Sequence, residues 1–334
     1  MVRGKINKLA LRELIGARKR PMPAFVAPQL ATLVDEPPEG EEWLHELKFD
    51  GYRMLCHLSR GQVRFWSRNQ KDWTEKFPNL VKAVEAFPAS SVILDGEVVI
   101  VDKAGRSSFQ DLQQSMRKSG TAAFVFQIFD LIYLDGYDLT AAPLLQRKIA
   151  LEELLSSIKG KTPLRYSEHV EGNGKEFFAQ ACAYQIEGII SKLADSPYQS
   201  TRNRGWLKAK CIKRQEFVIA GYTPSKNDFP GFGSLILGVH EKGKLIYAGR
   251  VGTGFSIKQR LDLQKKLDKI ARTEMPFTSK PKDPGLRDAH WAKPQLVAEV
   301  AFTEWTADGL IRHPSFQGLR EDKKPAEVVR EEPA

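Results

Sequence analysis

Lys48 lies in His45-Glu46-Leu47-Lys48-Phe49-Asp50-Gly51-Tyr52-Arg53, where ionisable and apolar residues are interleaved. Side chains of a strand alternate faces. Glu46, Lys48 and Asp50 therefore share one face, and Leu47 and Phe49 pack on the other. Gly51 lets the backbone bend or come close to a partner. Arg53 follows as a permanent cation suited to phosphate. A lysine between two acids, followed by Gly-x-Arg, has the makings of a covalent nucleophile. The same pattern also describes an exposed, salt-bridged strand, so the rest of the chain has to decide.

Similar polar insertions interrupt apolar stretches elsewhere. They are Ser67-Arg68-Asn69 at a strand end, Glu97 within ILDGEVVIV, and Phe129-Asp130 within FVFQIFDLIYLDG. Glu187-Gly188 opens EGIISK, Lys208 and Lys210 stand two apart in WLKAK, and Arg320-Glu321-Asp322-Lys323 follows the last expected strand. A charge buried in a sheet is costly unless it is paired or used, and a set of such charges is harder to dismiss than one. Other signals fall away. Gly249-Arg250-Val251-Gly252-Thr253-Gly254 follows a strand and opens no βαβ unit, so it reads as a turn. Gly172-Asn173-Gly174-Lys175 lacks the first glycine and the Ser/Thr of a P-loop. His45-Glu46 has no second histidine four residues on, and the histidines do not cluster at metal-ligand spacing.

The elements that must position these residues follow from periodicity. Residues 21–42 hold repeated prolines and read as an extended lead-in after a basic N-terminal arm. Strands are expected at 43–49, 52–58, 62–67, 91–101 (interrupted at Asp95-Gly96), 123–134, 188–192 and 205–210. Helices are expected at 73–87, 108–118 (capped by Ser107 or Ser108), 145–158 and 174–183. Beyond residue 216 come short, glycine-punctuated strands at 216–222, 233–240, 244–251, 295–303 and 309–312, with a charged helix at 256–272. That pattern suggests a small β-barrel of oligonucleotide-binding type. The expected class is α+β: an arm and lead-in over 1–42, a catalytic domain over 43–213 and a barrel over 214–334.

Composition sets outer limits. The 334 residues carry 42% hydrophobic residues, enough for real cores and too many for a disordered chain. A formal net charge of +10 suits a polyanionic partner such as nucleic acid. Three cysteines, Cys56, Cys182 and Cys211, are odd in number and widely spaced, which predicts a reduced, cytoplasmic set. No stretch has the apolar length of a membrane span, and the N-terminus lacks the apolar core of a signal peptide.

Taken in order, the polar segments resemble the collinear motifs of covalent nucleotidyltransferases, and specifically of ATP-dependent DNA ligases. They read KFDGYR (48–53), SRN (67–69), DGEVV (95–99), FQIFDLIYLDG (126–136), EGIISK (187–192), WLKAK (206–210) and REDK (320–323). The ending HPSFQGLREDKKPAEVVRE (313–331) is similar to that of the ligase module of bacterial end-joining ligase D. The polymerase and phosphoesterase modules usual there are not among these residues, which leaves open a stand-alone ligase or one module of a longer protein.

The resemblance implies a nucleotidyltransferase domain followed by an OB-fold barrel, with ATP and Mg²⁺ as cofactors and Mn²⁺ as a substitute. Lys48 would carry AMP. Glu46 would contact the adenine amino group, and Asp50 would face the metal or the nick. Arg53 and Arg68 would grip ribose or phosphate, Phe129 would stack on adenine, and Glu97 and Glu187 would bind Mg²⁺ or ribose. Lys208 and Lys210 would neutralise the α-phosphate and, with a bound metal, lower the Lys48 pKa. Arg320, Asp322 and Lys323 would serve the first step, with Arg320 and Lys323 orienting pyrophosphate. The barrel would then swing about a hinge at 211–215 to admit DNA. Implied partners are nicked or broken duplex DNA, Ku and end-processing enzymes. The setting would be non-homologous end joining by a monomer in the cytoplasm, at the nucleoid. The rival readings are an RNA ligase, a capping guanylyltransferase and a non-catalytic DNA-binding scaffold.

Overall fold

A computed structural model describes residues 11, 13–102, 107, 109–117, 123–225 and 230–331. The chain divides into two units, one ending at Cys211 and one spanning Ile212–Glu331. Both are built on largely antiparallel sheets with few helices, an α+β architecture.

The strands of the first unit are β1 (Leu30–Leu33), β2 (Trp43–Leu47), β3 (Tyr52–Ser59), β4 (Gln62–Ser67), β5 (Ser91–Val99), β6 (Val125–Leu134), β7 (Leu164–Tyr166), β8 (His169–Glu171), β9 (Gly188–Leu193) and β10 (Arg202–Lys210). The larger sheet runs β6-β5-β3-β4, with β7 parallel to β6 and two short strands, Tyr137–Asp138 and Arg18–Lys19, beyond it. The smaller sheet runs β8-β2-β9-β10-β1. The proline-rich lead-in therefore does more than connect, because β1 closes this sheet in parallel with β10.

The helices of this unit are α1 (Pro78–Glu85), α2 (Phe109–Arg117), α3 (Leu144–Ser156) and α4 (Gly174–Ala183). The single helix expected over 73–87 is instead a 3₁₀ turn, Thr74–Lys76, followed by α1. Pro78 has no N–H to donate and fits only the first turn, so the helix starts there. The expected cap Ser108 lies outside the described residues. Ser107 Oγ accepts a hydrogen bond from the Asp50 backbone N–H at 2.8 Å. Phe65, Phe77, Leu80, Val84, Leu94 and Phe126 are fully buried in the core between the larger sheet and these helices. Gly51 is required by a close approach: a Cβ there would lie 2.2 Å from the Val98 carbonyl oxygen.

The strands of the second unit are β11 (Lys213–Pro224), β12 (Phe232–Glu241), β13 (Lys244–Val251), β14 (His290–Phe302) and β15 (Ser315–Leu319), with helix α5 (Ile257–Asp268). The sheet runs β13-β12-β11-β14, then the short strand Ala271–Arg272, with β15 also on β14. Among the described residues this path does not close on itself, and the sheet covers one apolar core, which suits the partly open barrel of oligonucleotide-binding type expected here. Strand β15 was not foreseen. The helix expected over 256–272 is shorter, and Ser256 and Gln259 form a reciprocal capping box at its start.

The cysteine expectation is also corrected. Cys182 on α4 and Cys211 after β10 form a disulfide with Cα atoms 5.2 Å apart, and Cys56 is free and buried. The pair is 29 residues apart in sequence, and the chain folds back through β9 and β10 to bring it together. The Cys211 N–H donates to the Glu187 carbonyl at 2.9 Å. Among the described residues, no helix is long and apolar enough to cross a membrane.

Candidate active site

Three neighbouring strands, β2, β9 and β10, set one row of polar side chains. Glu46 pairs with Ile190 and Ile190 with Lys208. Lys210 pairs with Gly188, whose carbonyl accepts the Lys48 N–H at 2.9 Å. Residues directly opposite in a sheet share a face, so Glu46, Lys48, Lys208 and Lys210 lie on one side. Gly188 permits this because a Cβ there would meet the Ala209 carbonyl oxygen at 2.1 Å.

Lys48 Nζ donates to Glu187 Oε1 at 2.5 Å, with the lysine side chain 22% exposed and the glutamate 4%. Burial disfavours the charged amine. Glu187, with Asp50 and Glu97 behind it, outweighs burial and holds the ammonium well above the ordinary lysine range. Lys208 and Lys210 alone therefore do not set the Lys48 pKa downward: three carboxylates dominate its field. Asp50 is buried and Glu97 half-buried.

Glu46 is buried and accepts from Lys148 Nζ at 2.8 Å, Lys192 Nζ at 2.9 Å and Ser167 Oγ at 2.8 Å. Burial alone would push its carboxyl up, but the two ammonium groups hold it below the usual range. Lys192 is also 4.3 Å from the ring centroids of both Phe129 and Trp206. Burial brings its pKa down to about 8 against the pull of Glu46.

Arg53 forks onto both oxygens of Asp95 at 3.0 and 2.6 Å and donates to the Gln29 carbonyl at 2.5 Å. Its guanidinium carbon stands 5.2 Å from the Phe129 centroid. Arg53 pairs across the sheet with Glu97. Arg68 leaves β4 in a turn held by the Ser67 N–H on the Lys71 carbonyl at 2.9 Å, and it is half-buried.

Within the second unit, Arg320 forks onto Asp322 at 2.9 and 2.8 Å and reaches Glu299 Oε2 at 2.7 Å. Lys323 Nζ meets Glu216 Oε1 at 2.9 Å.

The sequence reading missed Lys148 and Ser167, and it held Asp95, Lys192 and Trp206 only as letters of their motifs, without a role. A signal for Lys148 existed. It lies at helical spacing with Leu144, Leu151 and Leu155, all buried on one stripe of α3. Arg147 is buried there too, forked onto Asp130 at 2.7 and 2.9 Å. Two cations on the apolar stripe of a helix call for buried acids opposite them.

Among the described residues, no group of three or more His, Cys, Asp and Glu side chains is arranged to hold a metal ion. Mg²⁺ is commonly held by one or two carboxylates together with water and substrate phosphate. Glu187 and Glu97, which both act on Lys48, fit that smaller set of hard oxygen donors.

Residues 21–210 match the family model described as ATP dependent DNA ligase domain, and 229–323 match that described as ATP dependent DNA ligase C terminal region. The Pseudomonas aeruginosa protein named multifunctional non-homologous end joining protein LigD is 40% identical over 319 residues, 95% of this chain and 38% of that protein. A Mycobacterium tuberculosis protein named multifunctional non-homologous end joining DNA repair protein LigD is 38% identical over 295 residues, 88% of this chain and 38% of its own. The solved structure of mycobacterial DNA ligase D complexed with ATP and MES is 37% identical with a TM-score of 0.68, covering 91% of this chain and 98% of that one.

Proposed function

The chain belongs to the ATP-dependent DNA ligase family, and from that premise we propose that it seals 5′-phosphate/3′-hydroxyl breaks in duplex DNA through an AMP adduct on Lys48. The observation that carries this reading is the placement of Lys48. It follows β2 directly and is partly open to solvent, with Glu187 on its amine and Lys208 and Lys210 on the same sheet face.

In the first step the Lys48 amine, having lost a proton to solvent, attacks the α-phosphorus of ATP. A P–N bond forms, a P–O bond breaks, pyrophosphate leaves and the nitrogen gives up a second proton to solvent. In the second, an oxygen of the DNA 5′-phosphate takes the AMP, the P–N bond breaks and Lys48 regains both protons from solvent. In the third, the 3′-hydroxyl loses its proton, attacks the activated phosphate and expels AMP. Each step places charge on phosphoryl oxygens, which Lys208 and Lys210 are positioned to offset. Arg320 and Lys323 serve the pyrophosphate end of ATP, with Asp322 holding the Arg320 guanidinium. Phe129 and Glu46 serve adenine, and Arg53 and Arg68 serve ribose and phosphate. Glu187 and Glu97 hold Mg²⁺ or Mn²⁺, which when bound would offset their pull on the Lys48 ammonium and polarise the α-phosphate.

On this reading residues 43–213 form the adenylation domain and 214–334 the OB-fold domain. The protein acts as a monomer in non-homologous end joining, with Ku and end-processing enzymes as partners. Its place is the cytoplasm, at the nucleoid, where the Cys182–Cys211 bridge would be open to reduction. The chain spans 38% of the length of the LigD relatives it matches, so activity, substrates and partners are taken from the ligase portion alone. The test is incubation with α-labelled ATP and Mg²⁺, denaturing electrophoresis, and a sealing assay on a nicked duplex. Label on the chain and a sealed strand are expected. Label from GTP in place of ATP would favour the capping reading, and no label from either would leave a DNA-binding scaffold.

A further inference from the structure

Glu216 on β11 and Glu299 on β14 stand directly opposite each other in the sheet of the second unit. Like charges in that relation repel and weaken a strand pair. Here both carboxylates are met by cations from one short segment after β15: Arg320 reaches Glu299 at 2.7 Å and Lys323 reaches Glu216 at 2.9 Å. The Arg320 N–H also donates to the Val297 carbonyl on β14 at 2.8 Å, which seats the segment against that strand. The Arg320 and Glu299 side chains are 12% and 8% exposed, so the contact is shielded from water. Asp322, forked onto Arg320, belongs to the same segment, whereas Glu216 and Glu299 belong to the sheet.

We propose that Glu216 and Glu299 form an anionic seat that competes with the pyrophosphate end of ATP for Arg320 and Lys323, which makes the two glutamates positioning residues for the lysine-adenylylation step. The proposal rests on the reading above that Arg320 and Lys323 act on pyrophosphate. Each cation exchanges a carboxylate for a phosphate oxygen when ATP binds. The charge-assisted contacts to the seat therefore oppose ATP binding, and they have no counterpart once AMP is already on the DNA.

The experiment uses the full chain with Glu216→Gln and Glu299→Gln combined, near-isosteric changes that remove only charge. Single-turnover labelling of Lys48 is followed over a range of ATP concentrations, and sealing of a nick that already carries AMP is measured alongside. The ATP concentration at half-maximal rate should fall about tenfold, the size of one charge-assisted hydrogen bond. The maximal rate should not fall, and sealing of the preadenylylated nick should be unchanged. A half-maximal concentration that is unchanged or raised would overturn the proposal, because structural damage moves it that way. Should the double variant fail to fold, Glu216→Gln alone, at the more exposed contact, should lower it about threefold. Glu216→Asp with Glu299→Asp, which keep the charge, should return it toward the wild-type value, and behaviour like the Gln variant would count against a charge seat. Arg320→Ala with Lys323→Ala tests the underlying reading separately: normal labelling there would refute the role of these cations with ATP, whatever the glutamates do.

Discussion

Lys48 Nζ and Glu187 Oε1 are 2.5 Å apart, although 139 residues separate them in the chain. The pair holds the amine in its charged form, whereas attack on phosphorus needs it neutral. The site as built therefore stores its nucleophile in the protonated state, and reaction depends on relieving the carboxylate field around it.

Replacing the nucleophile separates chemistry from fold. Lys48→Ala should form no AMP adduct and should keep the circular dichroism spectrum of the parent. Lys48→Arg should fail equally, because a guanidinium stays protonated. An acid-labile AMP adduct on either variant would remove Lys48 from the mechanism.

The raised Lys48 pKa gives a pH dependence of known sign. Below that pKa the neutral fraction grows about tenfold per pH unit. Single-turnover labelling at saturating ATP should accordingly rise with pH across the neutral range. Adding Mg²⁺ at fixed pH should act in the same direction, by offsetting the charge of Glu187 and Glu97. A flat profile between pH 6 and pH 9, which roughly brackets neutrality, would show that proton loss from Lys48 does not limit the step.

Glu97→Ala and Glu187→Ala should each lose most of the sealing rate, by about a hundredfold, as expected when a group that stabilises a phosphoryl transition state is removed. Raised Mg²⁺ should restore part of it. Titration of the rate against Mg²⁺ is the measurement, and unchanged activity in both variants would leave these carboxylates as charge partners of Lys48 with no part in holding metal.

Glu46 is the acid on which two buried ammonium groups depend. Glu46→Ala should destabilise the first unit by about 3–5 kcal/mol, because it strands Lys148 and Lys192 without their shared counter-ion. Lys148→Met should cost less, since Lys192 still meets Glu46. The sign with pH follows from the lowered carboxyl: its stabilisation is complete above the unfolded glutamate pKa, about 4.3. It is lost as pH falls through the lower folded value. Chemical denaturation of parent and variants at neutral and acidic pH measures this, and a Glu46→Ala chain as stable as its parent would show the network to be dispensable.

How much of this was legible in the sequence depends on how far each interaction reaches. The strand leading to Lys48, the helix at 174–183 and the paired lysines of WLKAK follow from local alternation, helical spacing and turn residues. The order of the motif segments was likewise plain, because side-chain types at short spacing are properties of the chain itself. Strand partners are different. Which acid meets Lys48, and which cations meet Glu46, is fixed by register between strands and helices more than a hundred residues apart. Local propensity carries no such information, so the pull of Glu187 on the Lys48 ammonium was not legible. The Cys182–Cys211 bridge, the lead-in strand β1 beside β10 and the seating of Arg320 and Lys323 on Glu299 and Glu216 belong to the same class. The sequence by itself determined which residues are available for phosphoryl chemistry. The tertiary structure decided which charges face each other, because burial and register set the field that each of them feels.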